Sequence, residues 1–202
     1  MRYVISDTHF GHDNIKIYEP MRQQYGDEHL IALWNSVVSP EDEVLHLGDF
    51  AFKSYGWDMI KQLNGKVALL KGNHDIKKEK KALYELGFVR IIDSIEIELP
   101  HHAKIMHTLK QRFSKETLHH VICLVQEIQG KKILFSHYPP FYDDPYDTKQ
   151  EVLETKEVLR AVFDATKCDV CYHGHIHSKK SSDPRCINVS VEHTAFQPVL
   201  LG

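Results

Sequence analysis

Lys66-Val67-Ala68-Leu69-Leu70-Lys71-Gly72-Asn73-His74-Asp75 decides how this chain is read. Lys66–Leu70 is a short apolar run of strand length, and the Gly-Asn-His-Asp that follows carries loop and ligand chemistry. α/β proteins place their sites at such carboxyl ends of strands. The same arrangement recurs outward in both directions. Upstream, residues 43–47 lead into Gly48-Asp49, and residues 3–6 into Asp7-Thr8-His9. Downstream, residues 132–135 lead into Ser136-His137, and residues 169–172 into Gly174-His175-Ile176-His177.

If these strand ends converge, Asp7, His9, Asp49, Asn73, His137, His175 and His177 form a set of oxygen and nitrogen donors too large for one ion. It suits two ions sharing a bridging carboxylate, and Asp49 has two oxygens to bridge with. Asp7 and His9 are two apart at a strand end, so alternation would point both to one side with Thr8 opposite. Asn73 is a neutral amide, used where a site must limit its negative charge. The mixed N/O set fits Mn²⁺, Fe²⁺, Zn²⁺ or Ni²⁺ better than Ca²⁺ or Mg²⁺.

Bulk properties narrow the class. The chain has 202 residues and a net charge of −3, which suits one domain over residues 1–202. Acidic and basic residues are mixed and no long basic run occurs, so strong nucleic-acid binding is not expected. No apolar stretch is long enough to span a membrane, and the N-terminus runs straight into a strand, so the expected location is cytoplasmic. Cys168 and Cys171 form a C-x-x-C, but Cys171 lies within the apolar run Val170-Cys171-Tyr172 and reads as a small buried hydrophobe. The pairs His101-His102 and His119-His120 read as surface.

Helical periodicity is expected at about 27–38, 57–63, 77–86 and 148–165. One or two strands are expected in 89–99, and closing strands at 186–191 and 198–201. Residues 101–129 show a partly helical pattern and read as an insertion, either a surface helix or hairpin, or a lid or dimer contact. The fold class is α/β: a four-layer α/β/β/α sandwich of two mixed sheets flanked by helices.

The ordered motifs resemble the calcineurin-like metallophosphoesterase superfamily over nearly the full chain. The opening 6–15, with Asn188-Val189-Ser190-Val191-Glu192 and Pro198, is similar to its compact prokaryotic and phage-type branch. The resemblance implies that one metal is held by Asp7, His9, Asp49 and His177, and the other by Asp49, Asn73, His137 and His175. It implies that His74 faces the phosphate as a catalytic group, with Asn73 also touching substrate, and that Asp75 orients His74 or the loop. Two divalent cations about 3.5–4 Å apart would turn a bridging water into an attacking hydroxide. His12, on the loop after the first ligand pair, is a candidate substrate contact. His46 is expected to pack in the core; Tyr138, Phe141 and Tyr142, after the His137 position, either stack on a base or, the favoured reading, simply pack.

Departures from the family's pattern narrow the activity. The Ser/Thr protein phosphatases carry an Arg after the second motif, where this chain has Phe50-Ala51-Phe52-Lys53, and their third motif ends in Glu rather than Asp75. Without an Arg clamp the site suits a diester monoanion better than a monoester dianion. The expected activity is therefore that of a phosphodiesterase on a small or nucleotide-like phosphate ester. The rival readings are a metal-binding scaffold with little catalysis and a small metal-dependent nuclease. Substrate choice is expected to lie in the loops around His12, 50–55 and 138–146, and in 101–129.

Overall fold

In the third strand Val67 and Leu69 face one way and Ala68 and Leu70 the other, and both sets are apolar. A period-two strand with this composition needs an apolar layer on each side. The computed structural model, which describes residues 1–142, 148–181 and 183–201, shows those layers. Of the 138–146 loop, residues 143–146 lie outside the described residues.

The strands are β1 (Arg2–Ile5), β2 (Glu43–His46), β3 (Lys66–Leu70), β4 (Arg90–Ile92), β5 (Ile95–Ile97), β6 (Cys123–Ile128), β7 (Lys131–Ser136), β8 (Val170–His173), β9 (Cys186–Asn188) and β10 (Val199–Leu200). They form two sheets, ordered β10-β1-β2-β3-β4 and β5-β6-β7-β8-β9. The first sheet is parallel except for β10, which closes its edge antiparallel to β1. The second is parallel except for the β6–β7 hairpin. Outside the first sheet lie α1 (Ile15–Tyr18), α2 (Asp27–Val37), α3 (Lys80–Leu86) and 3₁₀ segments at Pro20–Gln24 and Ser54–Gln62. Outside the second lie α4 (His102–Arg112), α5 (Lys115–His119) and α6 (Gln150–Thr166).

Three apolar clusters separate these layers. Val4, Leu47, Leu70, Ile92, Leu124 and Phe135 fill the space between the sheets. Tyr3, Ile5, Val44 and Val67 pack outward against Leu30 and Trp34 of α2 and Leu83 of α3. Val125, Leu134 and Cys171 pack outward against Val158, Leu159 and Val162 of α6. Full burial of each such aliphatic side chain contributes roughly 1.5–3 kcal/mol. The four-layer α/β/β/α sandwich read from the sequence is the observed architecture. All four cysteines are buried with free thiols, and the partly buried Phe141 packs edge-on against Phe163.

The differences from the sequence reading have local causes. The two strands in 89–99 belong to different sheets, so β4 and β5 flank the point where the chain passes from one layer to the next. Within 101–129, α4 and α5 cover the second core, but residues 123–128 are β6, a strand inside the second sheet. Cys123 to Gln126 are buried without interruption, so β6 shows no polar alternation to reveal it. The expected helix at 57–63 is a 3₁₀ segment, and α3 begins at Lys80 rather than at 77. Among the described residues no helix is long and apolar enough to cross a membrane.

Candidate metal centre

The ligand loops leave the carboxyl ends of β1, β2, β3, β7 and β8, drawing on both sheets. Two glycines let these loops touch. A Cβ on Gly48 (φ +100°) would stand 2.4 Å from the Gly72 amide nitrogen, so only glycine lets the β2 and β3 loops meet. A Cβ on Gly174 would stand 2.2 Å from Asp7 Oδ2, so the β8 loop reaches β1 across the sheets by the same device. The Gly174 amide also donates to the His137 carbonyl at 3.0 Å.

Asp7, His9, Asp49, His175 and His177 all have positive φ, between +48° and +71°. That region disfavours a side chain by about 1–2 kcal/mol per residue, and such strain gathers at functional sites. Asp7 and His9 therefore converge through left-handed turns and not through strand alternation, because β1 has already ended at Ile5. Thr8 does point away, donating to the Phe50 carbonyl at 2.8 Å and meeting His46 Nε2 at 3.0 Å. His46 Nδ1 accepts from the Gly48 amide, so this fully buried ring ties the first two ligand loops together rather than merely filling the core. Burial pushes it down to about 3.

One atom lies at the middle of the site. Asp49 Oδ2 is 3.6 Å from His9 Nε2 and 3.4 Å from His137 Nε2. Its Oδ1 is engaged by the His74 amide at 2.9 Å, leaving a single oxygen facing both halves. Asp7 is arranged alike: Oδ2 accepts from Ser190 Oγ and the His175 amide, each at 3.0 Å, while Oδ1 has no partner.

Whether these residues fit divalent metal can be judged from their unpaired atoms. Asp7 Oδ1 and both ring nitrogens of His9 are buried without a hydrogen-bond partner. Each such atom costs roughly 1–3 kcal/mol unless something satisfies it. Asp7, His9 and His177 bring ligand atoms within 4.8 Å of one another, as do Asp7, Asp49 and His137. His137 Nδ1 faces the Leu47 carbonyl at 2.9 Å, and its Nε2 faces both Asn73 Oδ1 at 2.9 Å and Asp49 Oδ2. If Nδ1 donates to that carbonyl, Nε2 can meet two oxygens only with a proton or a cation between them. The donor set fits metal.

The charges respond accordingly. Burial pushes His9 down to about 3 despite the carboxylates beside it. Burial would also lower His137, but Asp49 outweighs it and lifts the ring to about 10. Burial would raise Asp7 and Asp49; His137 is the largest opposing influence on both, holding Asp7 at about 2 and Asp49 well below the carboxylate range.

The remaining expected residues fall around this centre. The His175 ring lies 5.2 Å from His137 and 4.3 Å from Tyr138. His74 is 40 % exposed, with Nε2 3.9 Å from Asp49 Oδ2. His12 stacks on Phe52 at 4.0 Å and sits 5.4 Å from His9. Asp75 is fully buried, accepting from the amides of Gly72 (2.9 Å), Asp49 (2.7 Å) and Phe50 (3.2 Å). Those bonds tie the β2 and β3 loops together. Burial and the Asp49 charge push it up to about 7.

The sequence reading missed Arg22 and the role of Glu192. Arg22 is 2 % exposed; its Nε donates to Glu192 Oε1 at 2.6 Å, and its guanidinium also donates to the carbonyls of Thr8 (2.9 Å) and Asp7. The same Glu192 oxygen lies 3.3 Å from His177 Nδ1, fixing which nitrogen faces the site. A partner 170 positions away leaves no local signal.

The sequence profile of the calcineurin-like phosphoesterase superfamily domain matches residues 1–191. An uncharacterised protein from Methanocaldococcus jannaschii is 38% identical over 85 residues, a match covering 39% of this chain and 48% of that protein. The chain thus spans about half the length of that curated relative. A protein of unknown function from Aquifex aeolicus shares the fold at a TM-score of 0.71 and 28% identity, over 98% of this chain and 94% of that one. An archaeal phosphodiesterase aligns at a TM-score of 0.42 and 16% identity, over 94% of this chain and 81% of that one.

Proposed function

Because the chain belongs to the calcineurin-like phosphoesterase superfamily, we propose that it is a metal-dependent phosphodiesterase acting on a small or nucleotide-like phosphate ester. The observation that carries this reading is the single Asp49 oxygen facing a histidine nitrogen on each side. Asp7, His9, Asp49 and His177 would hold one ion, and Asp49, Asn73, His137 and His175 the other. Mn²⁺, Fe²⁺, Zn²⁺ and Ni²⁺ suit this mixed N/O set. Bound there, two such ions supply Lewis acidity toward phosphate oxygens and lower the pKa of water held between them.

The chain's own residues supply position and protons. Asp75, His46 and the Arg22–Glu192 pair hold the ligand loops in place. His74 is not tied to a loop by its ring, and its exposed imidazole faces the centre from outside, where it can donate a proton to a leaving oxygen. That accessible group favours an enzyme over a scaffold, which has no use for it. Where protein phosphatases use an Arg to hold a dianion, residues 50–53 of this chain place Phe52 against His12 and His74. This supports a diester over a monoester. The test is hydrolysis of an aryl phosphodiester against the matching monoester by Mn²⁺-loaded protein, with Asp49→Ala as control. Faster diester cleavage that disappears in the control is expected; monoester preference would overturn the diester reading.

A further inference from the structure

A cavity of about 370 Å³ opens on the Asn73–His175 side of the centre. Its lining includes neither His9 nor His74, so it is a separate wall of the site from the one where the leaving group meets its acid. Its size falls at the low end of small-molecule pockets, large enough for one ring system and too small for an extended polymer. Three features describe what fits. Ile76, immediately after the Gly-Asn-His-Asp loop, is 54 % exposed, leaving an apolar surface beside metal ligands. Tyr138 and Val152 add apolar surface to the lining. At the rim, His120 Nδ1 lies 3.5 Å from Glu151 Oε1, a donor–acceptor pair suited to hydroxyls. His120 comes from the end of α5, so the 101–129 segment contributes directly to the site.

We infer that this cavity holds the ester group that stays on phosphorus, an uncharged, hydroxyl-bearing ring of nucleoside size, with Ile76 and His120 as its specificity-determining contacts. The inference rests on the metallophosphoesterase reading of the centre. The charged lining is mixed, with Lys149 against Glu151, so it offers no strong attraction for a second phosphate. A flat ring covers Ile76 while its hydroxyls reach the His120–Glu151 pair.

Equilibrium binding tests this without requiring turnover. Adenosine 5′-monophosphate and inorganic phosphate are titrated calorimetrically into Mn²⁺-loaded protein, and the ratio of their Kd values is taken for wild type, His120→Ala and Ile76→Ser. The expected ratio is on the order of tenfold in favour of the nucleotide in wild type, collapsing toward one in each variant. A wild-type ratio near one, or a ratio unchanged in both variants, overturns the inference. Absence of hydrolysis in the diester assay bears on the proposed activity alone, because this ratio is read from binding.

Discussion

The half of the centre around His9 and the half around His137 are built on different principles. His9 is 3 % exposed, its backbone is left-handed, and both ring nitrogens lack a partner. Its neighbour His177, whose side chain is 22 % exposed, is braced from behind by the buried Glu192 and Arg22. His137 instead meets the Leu47 carbonyl on one side and half-buried Asn73 on the other, and that side opens toward solvent. One half is therefore a strained socket with buried polar atoms left unsatisfied. The other has its donors already in mutual contact and lies beside the partly exposed Asn73. Asp49 Oδ2 belongs to both, and the comparison teaches that its loss damages the two halves together while other changes separate them.

The largest effect expected is from Asp49→Ala. Removing the shared oxygen abolishes diester turnover to background in a steady-state assay; residual activity within tenfold of wild type would mean that Asp49 is not shared. Next comes His74→Ala, which removes none of the proposed ligands of either half. It should lower kcat by about 10²–10⁴-fold while metal content, read by elemental analysis, stays unchanged. Loss of metal in that variant would make His74 a ligand.

Glu192→Gln separates the halves. Outer partners of metal-bound histidines are worth about 10–100-fold in affinity, so one class of site should weaken by that factor in a metal titration while the other holds. Equal weakening of both would erase the distinction between a braced socket and an open half.

A separate prediction concerns the acid response of the metal-free protein. His9 and His46 are pushed down to about 3 and His173 to about 4 by burial. Below the unfolded value of about 6.5, the unfolded chain binds protons that these rings refuse. Each ring then costs about 2 kcal/mol at pH 5. Asp75, raised to about 7, works in the opposite sense as pH falls, because protonation relieves it, but it is one group against three. Asp7 is lowered to about 2, so its contribution is lost only below about 4. His137 is raised to about 10, so its contribution is complete below about 6.5 and is lost as pH climbs through 10. Tm should therefore fall between pH 7 and 5; a flat profile would show that these rings are not dry.

Both the four layers and the convergence of the Asp, Asn and His positions could be read in the chain because each rests on local pattern. Apolar runs of strand length ended in Asp, Asn or His at Asp7, Asp49, Asn73, His137 and His175, and those positions face one another. What could not be read depends on distance or on backbone. Arg22 and Glu192 meet across 170 positions. Positive φ at Asp7 or His177 has no side-chain signature, so strand alternation was the natural but incorrect explanation for how Asp7 and His9 converge. β6 is buried through its first four residues and lacks the polar alternation that marks an ordinary half-exposed strand. Asp75 gave no sequence signal of the three amides, from both the β2 and β3 loops, that donate to its carboxylate.

The most direct measurement is metal stoichiometry by elemental analysis after Mn²⁺ loading and desalting, on wild type and Asp49→Ala side by side. A two-ion centre built on one shared oxygen predicts two equivalents in wild type and a loss from both positions in the variant. One equivalent in wild type, or two retained without Asp49, would contradict it.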